Sequence, residues 1–138
     1  PPVNAALYET NMKSWSDIKS EFDVDGSLRD IYIENISPET WGSFINNVKA
    51  SEYTFDFSHG REDTEFPNSL SEIRDLQETD PTTLHIWLNE RIQVNCHFFI
   101  SSEIELDISP KDIVGEQDYQ LLTSFLRWLH EALNSRVM

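Results

Sequence analysis

The sequence contains few of the residues that common catalytic sites require. Glycine occurs only at positions 26, 42, 60 and 115, so neither glycine-rich loop that cradles phosphates in nucleotide-binding proteins can form. No serine lies in a G-x-S-x-G nucleophile elbow. Cys96 is the only cysteine and falls on the apolar side of a predicted strand, where a thiol normally serves as inert packing. We therefore expect a protein that is not an enzyme and that has no catalytic residues and no cofactor.

Long hydrophobic runs and disulfide partners are also missing. No apolar run approaches the roughly 18–20 residues of a membrane-spanning helix, and the N-terminus lacks the basic and apolar regions of a signal peptide. A single cysteine allows no disulfide within the chain, which favours a reducing compartment. The 138 residues, 38% of them hydrophobic, suffice for one core. We predict one domain over residues 1–138, cytoplasmic and monomeric when free.

Positive charge is scarce. The chain has 10 Lys and Arg against 25 Asp and Glu, a formal net charge of −15. More than half of the surplus lies in residues 51–90, whose only Lys or Arg residues are Arg61 and Arg74. A surface of this sign repels phosphates, which argues against nucleic acid or an anionic membrane as a partner. It would attract a basic protein, although solubility alone is also a sufficient reason for such a charge.

Two kinds of apolar spacing predict an α+β fold. Some segments alternate apolar and polar residues, as half-buried strands do, and others repeat apolar residues every three or four positions, as amphipathic helices do. We predict a mostly antiparallel sheet of about five or six strands with flanking helices and a long C-terminal helix. The predicted strands are a short one from Phe22 to Val24, then 28–36, 52–57, 84–88, 92–100 and 103–108. The predicted helices are one near the start, one that opens at Ser37-Pro38, one over 69–77 and one over 116–134, with a polar loop at 58–68.

The segments 84–88 and 92–100 predict a hairpin with a defined register. Their even-numbered positions are apolar, so Leu88 should pair with Ile92 across a three-residue loop. The opposite face is too aromatic to lie freely in water, and we expect a helix or a partner to cover it. Its members are His85, Trp87, Gln93, Asn95, His97 and Phe99.

Two patterns resemble metal sites, and we predict that neither binds a metal. The first occupies positions 1, 3, 5 and 6 of a calcium loop, but Tyr32 stands where the closing carboxylate is needed; its members are Glu21, Asp23, Asp25 and Gly26. The second is His85 with His97, which the hairpin register makes diagonal neighbours about 7–8 Å apart. Two hydrogen-bonded histidines are a better interpretation than a shared zinc ion.

Carboxylates are the remaining candidates. One strand face carries Glu103, Glu105 and Asp107, which we interpret as a solvated outer face because half-buried strands alternate in this way. The richest acidic stretch runs from 56 to 80, across loops and a short helix, with Phe66 and Trp87 as nearby aromatic anchors. We predict that this stretch contacts a cationic partner, although a merely solvated surface is an equally open interpretation. The predicted contact residues are Asp56, Glu62, Asp63, Glu65, Glu72, Asp75, Glu78, Asp80 and Trp87.

Two blocks of sequence resemble a known family. One is Asp25–Tyr32 (DGSLRDIY), and the other comprises Cys96–Phe99 (CHFF) and Glu103–Ile113 (EIELDISPKDI). They are similar to blocks in small bacterial proteins of polymorphic-toxin and contact-dependent growth-inhibition systems. The resemblance implies a cytoplasmic immunity protein that binds and blocks a cognate toxin domain, for which a basic nuclease is a good candidate. The blocks fall on predicted strands and turns, so they indicate the fold more than the contact residues.

Two other functions stay open at this point. An acidic adaptor or regulatory domain would share the charge but would accept a wider range of partners. A metalloenzyme that uses carboxylates with His85 and His97 is the less favoured alternative.

Overall fold

The computed structural model describes residues 3–4, 14–23 and 28–137, and it confirms the α+β prediction. Six antiparallel strands form one sheet, and a short seventh strand joins its edge in parallel. The strands are β1 (Val3–Asn4), β2 (Arg29–Ile33), β3 (Thr54–His59), β4 (Glu62–Thr64), β5 (Thr82–Trp87), β6 (Gln93–Cys96) and β7 (Ile104–Ile108). The α-helices are α1 (Trp15–Ile18), α2 (Pro38–Ala50), α3 (Leu70–Gln77) and α4 (Glu116–Val137), and short 3-10 helices cover Lys19–Phe22 and Pro110–Asp112.

The strand order across the sheet is β1-β2-β7-β6-β5-β3-β4. The predicted hairpin register is confirmed: Ile86 pairs with Val94, and the Leu88 N–H donates to the Ile92 carbonyl oxygen at 2.9 Å. The last strand, β7, then inserts between β6 and β2. This order brings the N-terminal strand β2 beside the C-terminal strand β7.

All the described helices contribute to one hydrophobic core on one face of the sheet. The apolar stripe of α2 (Trp41, Phe44, Ile45 and Val48) is fully buried, with Trp41 against the ring of Phe98 at 5.5 Å between centroids. The stripe of α4 is buried as well, and Phe125 contacts Tyr53 edge to face at 5.4 Å. The strands supply every second residue to the same core, among them Leu84, Ile86, Val94, Cys96, Ile104, Leu106 and Ile108. Among the described helices none combines the length and apolarity that crossing a bilayer demands.

Local hydrogen bonds explain where α2 and α3 begin. The Ser37 hydroxyl accepts from the Thr40 N–H at 3.3 Å, and the Thr40 hydroxyl in turn accepts from the Ser37 N–H, which forms a capping box. At α3 the Ser69 hydroxyl accepts from the Glu72 N–H, as its spacing predicts. The Glu72 carboxylate, however, accepts from the N–H of Asn68, one residue before the cap.

Four local predictions are wrong or incomplete. Phe22 belongs to a 3-10 helix and not to a strand, while Val24 and the Asp25-Gly26 turn lie outside the described residues. Strand β6 ends at Cys96 because the backbone of Phe98 turns into the left-handed region (φ 61°), so residues 97–100 are not a strand. The loop 58–68 contains β4, which pairs with β3. Strand β1 has no counterpart among the predicted strands.

Candidate binding face

One face of the sheet has no helix over it within the described residues, and we call it the open face. We define it by the strand residues that alternate with the core positions: Asp30, Tyr32, Thr54, Asp56, Ser58, Asp63, Thr83, His85, Trp87, Gln93, Asn95, Glu105 and Asp107, with His97 just beyond β6. Five of these are carboxylates and none is Lys or Arg. The cover that we expected over the aromatic hairpin face is therefore not a described helix.

Strand pairing aligns the centre of the open face into a row. The register places Asp30, Asp107, Asn95, His85 and Asp56 side by side on β2, β7, β6, β5 and β3. Neighbouring strands lie about 4.8 Å apart, so side chains in such a row are within reach of one another. The row joins residues from both ends of the chain, and no local sequence pattern contains it.

Asp107 is the centre of a hydrogen-bond network on the open face. It is buried, with its side chain 10% exposed, and it accepts from Asn95 Nδ2 at 2.8 Å and from His97 Nε2 at 3.0 Å. Asn95 Oδ1 in turn accepts from Gln93 Nε2 at 2.6 Å. The Thr83 hydroxyl lies 3.4 Å from His97 Nδ1 and donates to it when that nitrogen is unprotonated. Each buried polar group is thereby satisfied, which fixes the side-chain geometry.

The two histidines have separate carboxylate partners. His85 Nδ1 donates to Asp56 Oδ1 at 2.7 Å, whereas His97 donates to Asp107. In the described ranges, no group of three or more His, Cys, Asp or Glu side chains is arranged to hold a metal ion. The hydrogen bonding that we predicted for both histidines is confirmed, although no described helix covers them. The candidate calcium loop includes Asp25 and Gly26, which lie outside the described residues.

Negative charge on the open face favours protonation of its titratable groups. The hydrogen bond to Asp107 raises the pKa of His97 above its usual value, with a further contribution from Glu105 and Asp30. Burial, followed by the charge of Asp30, raises the pKa of Glu105. Burial, followed by the charges of Asp30 and Glu105, raises the pKa of Tyr32 to about 12. The interpretation of Glu103, Glu105 and Asp107 as a solvated outer face is wrong for Asp107, which is buried, because alternation shows only which face a residue is on and not how crowded that face is.

The predicted acidic stretch does not form one surface. Asp56 and Asp63 project on the open face, as the register of β3 with β5 and β4 shows. The other six carboxylates lie at the far edge of the sheet around β4 and α3, and all are exposed. We call this second surface the acidic rim: Glu62, Glu65, Glu72, Asp75, Glu78 and Asp80. Their role as contact residues stays a prediction.

The two predicted aromatic anchors differ in exposure. Phe66 is 3% exposed and stacks on Phe57 with 5.3 Å between ring centroids, so it is a core residue and the prediction that it anchors a partner is wrong. Trp87 is half-buried and lies in a groove of about 590 Å³ at one end of the open face. The groove also has two acidic residues in its wall, Glu52 and Glu90. Trp87 therefore stays a candidate contact residue.

Sequence reasoning missed the open face as a unit. The two blocks that resemble immunity proteins include positions of β2, the end of β6 and β7, but no local pattern places these positions together before the strand order is known. These strands are neighbours in the sheet, and the blocks supply Asp30, Tyr32, His97, Glu105 and Asp107. Comparison with protein-family models, with curated proteins and with solved structures gave no match for this chain.

Proposed function

We propose that this protein is a cytoplasmic immunity protein that binds and neutralises a cognate toxin domain with a basic surface, such as a nuclease. The observation that carries the proposal is the open face, where four of the six antiparallel strands present five carboxylates and no strand of the six presents a Lys or Arg on that face. Such a surface complements a protein that presents Lys and Arg to nucleic-acid phosphates. The resemblance of two sequence blocks to immunity proteins supports the same function.

The proposed mechanism is stoichiometric inhibition. The acidic protein competes with phosphates for the cations of the toxin and covers the surface that its substrate needs. The net charge of −15 speeds the encounter by attracting a basic domain over distances up to about the Debye length, roughly 8–10 Å at physiological salt. The lifetime of the complex depends on contacts that exclude water.

The test uses the C-terminal domain of the toxin that, under this proposal, a neighbouring gene encodes. Mixing the two purified proteins should give a 1:1 complex in light scattering. One equivalent of this protein should abolish the activity of the toxin domain. Raising the salt concentration should slow association, because surface attraction is screened. Failure to bind at low salt would reject the proposal. Equal binding to unrelated basic proteins of similar size would favour the adaptor function instead.

A further inference from the structure

The chain presents two acidic surfaces, the open face and the acidic rim, and they differ in structure. Resting on the function proposed above, we propose that the cationic toxin domain docks on the open face and not on the acidic rim. This choice departs from the charge count along the sequence, which places most of the surplus at residues 51–90. The two surfaces hold their carboxylates differently.

The open face is organised before a partner arrives. Asp107 is fixed by Asn95 and His97, and Asp56 is fixed by His85. A partner that binds fixed groups avoids the entropy cost of ordering them. The rim carboxylates are all exposed, and of these six carboxylates only that of Glu72 has a hydrogen bond within the described residues, accepted from the Asn68 N–H, so a partner would have to order the others. The open face therefore loses less conformational freedom on binding.

The open face also gains more from a cation. Glu105 lies near Asp30, Glu103 and Asp107; burial is the main cause of its raised pKa, and repulsion from these carboxylates, led by Asp30, adds to it. A guanidinium or ammonium group placed over them offsets this repulsion in a half-buried setting, where charge pairs are stronger than in water. Exposed pairs of the kind that the rim can form contribute less, because water and salt screen them and two long side chains must be ordered.

Aromatic groups flank the open face and provide anchors for a protein partner. Phe99 is 64% exposed and stacks on His97 with 5.1 Å between ring centroids. Trp87 stands at another part of the face, beside the groove with Glu52 and Glu90. Aromatic side chains are enriched among residues that dominate binding energy, and an adjacent carboxylate suits a Lys or Arg that stacks on such a ring. A second copy of this chain is a poor occupant because its open face repels another of the same sign.

Two matched double variants test the choice of surface. Asp30→Asn with Glu105→Gln alters the open face, and Asp75→Asn with Glu65→Gln alters the rim. Both pairs replace one Asp and one Glu by their amides and change the net charge equally, so the difference between them reports contact and not long-range attraction. Surface plasmon resonance against the neighbouring toxin domain should show dissociation at least tenfold faster for the open-face pair. The rim pair should change Kd by less than threefold, mainly through slower association.

Carboxyl labelling of the wild-type complex gives an independent readout that needs no variant. A carbodiimide with an amine label should modify Asp30 and Glu105 less in the complex than in the free protein, while Glu65 and Asp75 should react equally in both. Urea midpoints and far-ultraviolet circular dichroism check that each variant is folded.

Each outcome separates the two proposals. If the wild-type protein does not bind the toxin domain, the proposed function fails. If it binds but the rim pair weakens binding as much as or more than the open-face pair, or if the rim is the protected surface, only the docking proposal is overturned. A dimer of this chain that is lost in the open-face pair would also overturn the docking proposal, because the occupant would then be a second copy.

Discussion

Asp107→Asn is a sharp test of the network on the open face. The substitution keeps the size of the side chain but removes its charge and one of its two acceptor oxygens. Asparagine can accept from either Asn95 or His97, and its NH₂ group then faces the other donor. One hydrogen bond to a charged group is lost, which costs about 1.5–3 kcal/mol. Relief of the repulsion with Asp30, which lies directly opposite, returns about 0.2–1 kcal/mol.

We therefore expect a net loss of about 0.5–3 kcal/mol in the free energy of unfolding, with a pH dependence whose sign is fixed by His97. The pKa of His97 is raised in the folded state, so its protonated form binds Asp107 more strongly. This contribution to stability is fully present below the unfolded pKa of about 6.5, and it is lost as the pH rises through the folded pKa. The stability difference between wild type and variant should be larger at about pH 6 than at about pH 9.

Urea denaturation followed by tryptophan fluorescence measures both differences, and NMR titration of the imidazole measures the pKa of His97 directly. In Asp107→Asn the pKa of His97 should fall towards its ordinary value. Asp75→Asn is the control, because it removes one exposed carboxylate with an expected change within about 0.5 kcal/mol at either pH. A stability gap that is the same at both pH values, or an unchanged pKa for His97, would refute the reasoning.

Three further predictions concern the scaffold. Burial raises the pKa of the Cys96 thiol to about 12, so a disulfide reagent should modify it only after unfolding, and rapid labelling of the native protein would contradict this. Ser37→Ala removes the cap that accepts from Thr40 and should cost about 1 kcal/mol in urea melts, while Ser37→Asp should recover most of it. Gly60→Ala should lower the free energy of unfolding by about 1–2 kcal/mol, because Gly60 has φ +64° and a new Cβ would lie 3.3 Å from Asp80. Thermal melts measure the effect, and an unchanged melting temperature would argue against this turn conformation.

Local spacing was sufficient to predict most elements of the fold. Alternation alone identifies Ile104, Leu106 and Ile108 as core residues, because a strand has only two faces and one is buried. The same rule gave the hairpin register, since pairing Leu88 with Ile92 is what keeps both apolar sets on one side. Helix starts were readable because capping depends on residues three positions apart.

Features that depend on contacts between residues far apart in the chain could not be predicted from the sequence. The insertion of β7 between β6 and β2 brings Asp30 opposite Asp107, and no local pattern encodes that neighbour. Phe66 lies in a polar stretch of sequence, yet it is buried because its ring stacks on Phe57 of β3. Local spacing around Phe66 does not indicate this contact. The acidic stretch was read as one surface since its residues are close in sequence, but Asp56 and Asp63 project to the opposite face from the rim. The open face could have been recognised only after the strand order was known.

The two ends of the sheet have a consequence for self-association. An edge strand exposes unpaired backbone N–H and C=O groups, which can recruit a strand from another chain and start aggregation. Here one edge strand, β1, is only two residues long, and the other, β4, has three residues that include Glu62 and Asp63. A short edge strand limits the number of hydrogen bonds that an added strand can form, and the carboxylates of β4 disfavour its approach. Within the described residues both edge strands are therefore short, so these edges offer few backbone groups for growth by strand addition.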